Sequence, residues 1–212
     1  IPGFRPRYSG PAPSPAPRSP MLEALLVSTA VVALGEIGDK TQLLALVLAA
    51  RFNKPLPIVA GIFVATLANH TLAGMMGGMV RAMFPDHILR WTVAILFFLV
   101  ALWALKPDQL DEGDQPPESS RWGVFGVTVV AFFLAEMGDK TQVATVILAA
   151  KYEALAAVVL GTTLGMLIAN VPVVLLGRAA STRVPFKAIR IAAALLFAAM
   201  GVYALMADDF GG

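Results

Sequence analysis

The chain has 212 residues, 58% of them hydrophobic and 14% charged, with a formal net charge of +2 and a pI near 9.1. A mean hydropathy of +0.75, with the charges placed mostly between long apolar runs, reads as a polytopic membrane protein and argues against a soluble domain. The basic residues stand singly at segment ends and build no stripe, which argues against nucleic acid as a partner. The absence of cysteine removes disulfides, thiolate metal ligands and cysteine nucleophiles, so any metal must be held by oxygen or by one of two histidines.

Residues 1–20 contain seven prolines, three arginines and no acid, a composition that predicts a disordered arm. The arm lacks the apolar core of a secretory signal. It reads as an appended remnant, translated upstream sequence or the tail of a cleaved targeting peptide. From Leu22 to about Ala50 the chain is apolar except at Glu23 and one polar motif, longer than the ~20 residues a span needs, so a broken or tilted helix is expected. Pro55 and Pro57 suit the first turn of a second helix running to about Val80, with Asn69 and His70 midway and glycines at 74, 77 and 78. Arg81 to Arg90 reads as a polar turn. A third span, Ile88 to Leu105, follows, and residues 107–121 form an acidic, proline-containing linker.

The second half repeats the first. Trp122 to Ala150, Ala154 to Gly177 and Lys187 to Met206 are three further apolar segments before a short tail at 208–212. At an offset of 100, Gly61 meets Gly161, Arg90 meets Arg190, and Leu96-Phe97 meets Leu196-Phe197; Asn69 and Asn170 match after a shift of one residue. The expected fold is therefore all-α, six transmembrane helices in two repeats, residues 21–106 and 122–207. Three spans per repeat would insert the second from the opposite side, giving the inverted pair that places a substrate near the midplane. Arg51, Lys54, Lys106, Arg121, Arg178, Arg183, Lys187 and Arg190 lie on one side and Arg81, Arg90 and Lys151 on the other. By the excess of positive charge the first side is cytoplasmic and both termini are not.

Each repeat opens on a segment interrupted by the same motif, Glu36-Ile37-Gly38-Asp39-Lys40-Thr41-Gln42 and Glu136-Met137-Gly138-Asp139-Lys140-Thr141-Gln142. A charge at the centre of a membrane helix costs about 2.5 kcal/mol or more, so such groups are functional candidates. On a continuous helix Glu36, Asp39 and Gln42 share a face, as do Glu136, Asp139 and Gln142, while Thr41 and Thr141 point elsewhere unless the helix unwinds. Gly38 and Gly138 permit either close helix contact or a local break. If the two faces meet, four acids oppose Lys40 and Lys140 with a formal charge of minus two. A divalent cation would neutralise that charge, and protons would compete for the same oxygens. Oxygen ligands without sulfur suit manganese or calcium, and magnesium less because it dehydrates reluctantly. The plainer alternative is a pair of intrahelical ion pairs, Glu36 with Lys40 and Glu136 with Lys140; such buried pairs add little net stability, which favours the functional reading. The lysines are expected to tune the acids. His70, which has no counterpart in the second repeat, is expected to be structural, and Met75, Met76 and Met79 to be packing residues.

Twin Glu-x-Gly-Asp-Lys/Arg-Thr/Ser motifs on the first and fourth of six spans resemble the uncharacterised protein family 0016, the Gdt-type cation/proton exchangers. The resemblance covers about residues 21–206. It implies an integral membrane antiporter and no enzyme, binding its cation through Glu36, Asp39, Glu136 and Asp139. Thr41, Gln42, Thr141 and Gln142 are additional candidate ligands, and the amides Asn69 and Asn170 join them as ligands or as interhelical hydrogen-bond partners. It also implies manganese or calcium moved against protons, with no resident cofactor, across a bilayer that for a bacterial member is the inner membrane. The oligomeric state stays open, a homodimer included. Two readings compete. Asp39 and Asp139 could form an intramembrane aspartyl-protease dyad, which needs neither the glutamates nor the lysines. A small-solute exporter could share the six-helix plan, but four acids are too many for a substrate that itself carries a carboxylate.

Overall fold

A computed structural model describes residues 19–107, 123–176 and 186–206, which hold eight α-helices and no strand. They are α1 (Pro20–Glu36), α2 (Lys40–Phe52), α3 (Pro55–Met83), α4 (Asp86–Ala104), α5 (Gly123–Glu136), α6 (Lys140–Lys151), α7 (Leu155–Leu176) and α8 (Phe186–Met206). Nearly all of the expected arm and acidic linker, and the whole tail, lie outside the described residues.

Local chemistry sets the boundaries. Ser19 caps α1 by accepting the Leu22 N–H, with Pro20 in the first turn, where a missing N–H costs nothing. α2 ends where Asn53 turns left-handed at φ 48° and returns its N–H to the Ala49 carbonyl, and Pro55 opens α3. The polar turn expected at 81–90 is far shorter. Helix α3 continues to Met83, Pro85 caps the next helix and Asp86 already sits in the first turn of α4, where an acid suits the helix dipole.

Among the described residues, α3, α4, α7 and α8 are each long and apolar enough to cross a membrane. Together α1 and α2 make a fifth candidate span, bent by 70° at its break, and α5 is a shorter apolar helix. The outer surface suits hydrocarbon: Leu56, Leu102, Leu134, Leu164 and Leu195 are exposed on five different helices. Met75, Met76 and Met79, expected to be packing residues, are instead more than half exposed on α3.

Inside, small residues bring backbones together. A Cβ on Gly61 would stand 2.7 Å from Thr128 Cβ in α5, and one on Gly161 would stand 2.5 Å from the Leu25 carbonyl oxygen in α1. So α3 lies tightly on α5 and α7 on α1. α4 packs along α8, with the Phe97 and Phe197 ring centroids 6.4 Å apart. The two broken segments are thereby held between longer helices with their breaks in the interior.

Candidate cation site

Both motifs break their helices in the same way. α1 stops at Glu36 and α5 at Glu136; Gly38 and Gly138 then take φ values of +84° and +75°, and Asp39 and Asp139 restart the chain as N-caps of α2 and α6. Those positive φ values are open to glycine at no steric cost. Because the helix breaks, the single face expected for Glu36, Asp39 and Gln42 does not form. Across the break, Thr41 Oγ1 donates to Glu36 Oε2 at 2.5 Å and Thr141 Oγ1 to Glu136 Oε2 at 3.0 Å. A spacing of five residues would not bring these groups together on a continuous helix, which is why the threonines were expected to point away.

The breaks gather acids from both halves of the chain. Glu36, Asp39 and Asp139 each offer a carboxylate oxygen, and the three oxygens lie within 4.8 Å of one another. All three residues are buried, as is Glu136, which stands outside that trio and is held by Thr141. Each of the four acids keeps one buried oxygen without a hydrogen-bond partner among the described residues: Glu36 Oε1, Asp39 Oδ2, Glu136 Oε1 and Asp139 Oδ2. Buried polar atoms are rarely left so, which makes this cluster a candidate site for a positively charged guest.

Neither intrahelical ion pair forms. Lys140 instead reaches across the halves to Asp39, Nζ to Oδ1 2.8 Å, with both side chains buried. The equivalent Lys40 is half-buried and makes no ion pair with Asp139 within 4 Å. The site is thus asymmetric, with one ammonium inside it.

The glutamines hold the breaks in shape. Gln42 Oε1 accepts the Gly38 N–H at 2.9 Å and its Nε2 donates to the Ala169 carbonyl of α7 at 3.1 Å. Gln142 Oε1 accepts the Gly138 N–H at 2.7 Å and its Nε2 donates to Asn69 Oδ1 of α3 at 2.8 Å. Each side chain bridges its own glycine to the middle helix of the other half. Gln142→Leu is expected to remove about 1–3 kcal/mol of stability by leaving the Gly138 N–H and Asn69 Oδ1 without these bonds. A lowered midpoint of thermal unfolding in detergent checks this.

Asn69 also donates to the Phe133 carbonyl at 3.4 Å, so it joins the second break to α3. Asn170 donates to the Met166 carbonyl of its own helix and leaves Oδ1 without a partner, so the two asparagines do not play matching parts. His70 is buried with neither ring nitrogen hydrogen-bonded among the described residues, and it is not one of the clustered ligands. The Ala169 carbonyl was invisible to sequence reasoning, since a backbone acceptor carries no residue-type signal.

Buried carboxylates gathered at the broken ends of membrane helices define the class of ion-coupled transport proteins. The chain belongs to the family described as "Divalent cation/proton antiporter GDT1", whose sequence model matches residues 24–112 and 124–211. It is 49% identical over 190 residues to the "Putative manganese exporter" of Vibrio cholerae, covering 89% of this chain and 94% of that one. A GDT1-like protein of Synechocystis is 26% identical over 196 residues, 84% of this chain and 94% of its own. The "GDT1-like protein 5" of Arabidopsis thaliana is 24% identical over 225 residues, 88% and 96% of the two chains. No solved structure matches.

Proposed function

We propose that the protein exports manganese in exchange for protons across a bacterial inner membrane, with calcium as a second substrate. The cation is bound by Glu36, Asp39 and Asp139, with Glu136 alongside. The observation that carries this reading is the set of four buried acids, each with one oxygen free of hydrogen bonds among the described residues, with carboxylate oxygens of Glu36, Asp39 and Asp139 within 4.8 Å of one another. Hard, anionic oxygens without sulfur or imidazole select a cation such as manganese or calcium over zinc or copper. The name of the Vibrio relative supports manganese as the first choice.

The reading takes the molecule as two inverted repeats of three spans, each first span broken at its motif. Three observations support it: the family matches two segments, 24–112 and 124–211; Gly61 meets α5 where Gly161 meets α1; and Phe97 touches Phe197. Contact between residues 100 apart is what a two-fold axis running between the halves produces. Alternating access then exposes the same carboxylates to each side in turn. With both termini non-cytoplasmic, the ends of α1 and α6 that carry Glu23 and Lys151 face away from the cytosol.

Lys140 serves as the resident counter-charge. Its ammonium holds Asp39 when the acids carry no cation, and a divalent ion arriving at Asp39 competes with it, as protons do at the other oxygens. In proteoliposomes holding a pH dye, manganese added outside is expected to raise the internal pH as protons leave. No pH change with manganese, calcium or magnesium would sink the proposal. The sign of the pH dependence follows from competition. Protons neutralise the ligands, so lowering the pH weakens apparent manganese affinity, by about tenfold per pH unit for each proton displaced. Transport rates measured against manganese concentration at several pH values check it.

A further inference from the structure

Six of the helices sort into two groups by the atoms through which they touch. α3 meets α5 and α6 on their backbones. A Cβ on Gly61 would stand 3.0 Å from the Phe125 carbonyl oxygen, and one on Gly77 would stand 2.2 Å from that of Val146. Hydrogen bonds run along the same surfaces. Asn69 donates to the Phe133 carbonyl of α5 and accepts from Gln142 of α6, and Arg81 donates to the Ala150 and Lys151 carbonyls at the far end of α6. α7 meets α1 and α2 in the same manner. A Cβ on Gly161 would stand 2.5 Å from the Leu25 carbonyl oxygen, one on Gly165 would stand 2.6 Å from that of Thr29, and Gln42 of α2 donates to the Ala169 carbonyl. Backbones held this close leave little room for one helix to slide past the other.

Between the groups the contacts are of another kind. A Cβ on Gly74 of α3 would meet Leu155 Cδ1 of α7 at 2.7 Å and Val159 Cγ2 at 3.0 Å, and one on Gly35 of α1 has Thr141 Cγ2 of α6 nearest, at 3.4 Å. These atoms are the ends of side chains, which can change rotamer. Two polar contacts across the same boundary also join side chain to side chain: Lys140 Nζ to Asp39 Oδ1 at 2.8 Å, and the Tyr152 hydroxyl to Glu23 Oε1 at 3.3 Å. Glu36 and Asp39 come from one group and Asp139 from the other, so the three clustered carboxylate oxygens lie on the boundary.

We propose that the carrier moves as two bodies that do not coincide with the sequence repeats. α1, α2 and α7 form one, α3, α5 and α6 form the other, and rocking of one on the other turns the carboxylates from one side of the membrane to the other. Each repeat lends its middle helix to the broken span of its mate. The chain passes between the bodies at Asn53–Lys54 and at Ala154, short connections that serve as hinges. The division rests on the alternating-access reading above. With no native cysteine, thiol pairs can be introduced cleanly. Arg81→Cys with Glu153→Cys ties α3 to the end of α6, inside one body, where the native side chains touch at 2.7 Å. Glu23→Cys with Tyr152→Cys ties α1 to the same end of α6, across the bodies, where they touch at 3.3 Å. Each pair is joined by a short reducible bifunctional thiol reagent and compared with the same variant after reduction. The first tether is expected to leave manganese-driven proton movement unchanged, and the second to reduce it to the level of protein-free liposomes until the tether is cut. Spin labels read the bodies without transport, at positions exposed on three helices. Leu134→Cys with Met79→Cys, on α5 and α3, is expected to keep one distance between acidic and calcium-loaded protein, whereas Leu134→Cys with Leu164→Cys of α7 is expected to shift. Tethers that act alike, or label pairs that both shift or both stay fixed, overturn the division. Absence of manganese-driven proton movement in the untethered parent would instead count against the exchange reading, and the label distances would still decide the bodies.

Discussion

Asp39→Asn is expected to lose exchange completely and to fold poorly, whereas Asp39→Asn combined with Lys140→Met is expected to recover folded protein without recovering exchange. The single change removes a proposed ligand carboxylate and, with it, the group 2.8 Å from a buried ammonium. Removing one partner of a buried pair costs about 3–5 kcal/mol, while replacing both by neutral groups of similar volume is close to neutral. The two effects therefore separate in the double variant. Folded yield and unfolding midpoint in detergent should return, and manganese-driven proton movement should stay down by about a hundredfold or more, the consequence of losing a few kcal/mol of charge-assisted binding. Asp139→Asn makes a cleaner loss of transport, since no salt bridge within 4 Å is removed with it among the described residues. Exchange that survives Asp139→Asn at the parent rate would remove this carboxylate from the site.

Gly77→Ala is expected to be strongly damaging, and Gly78→Ala one residue away nearly silent. A Cβ on Gly77 would lie 2.2 Å from the Val146 carbonyl oxygen and 2.8 Å from Ala149 Cβ, while one on Gly78 meets nothing within 4 Å. The obstacle at position 77 is the backbone of α6, which cannot rotate aside as a side-chain tip can. Overpacking a tight core costs about 1–3 kcal/mol even where side chains yield, so the upper end or beyond applies here. Because α6 begins at Lys140, whose ammonium pairs with Asp39, pushing it off α3 disturbs the carboxylate cluster. Monodispersity on gel filtration and unfolding temperature, compared between the two variants, decide the matter. Equal behaviour of the pair would mean that α3 and α6 do not lie as close as described.

The candidate site was partly legible in the residues. Two acids and a lysine interrupting an apolar run are costly in lipid wherever the chain goes, and their repetition one hundred positions later pointed to a cation site without coordinates. Gly38 and Gly138 marked a break or a contact, and the broken helix is the outcome realised. The threonine partners were not legible, because a spacing of five becomes a contact only after the helix stops at the glutamate and restarts at the aspartate. Nor was the asymmetry. Motifs that differ only at Ile37 and Met137 put Lys140 on Asp39 and leave Lys40 off Asp139, a difference that the motif residues do not carry.

Taken alone, the order of residues determined the apolar lengths, the doubled acidic motif and the family, all of which depend on residue type and spacing. Tertiary structure decided which three carboxylates approach one another, which lysine crosses between the halves, and that Lys151 packs over the rings of Tyr152 and Tyr203. The reason is physical. Spacing along a helix sets which side chains share its surface, but a helix that breaks frees its two pieces to turn separately. Their directions are then set by packing against α3, α7 and α8, helices distant in the chain.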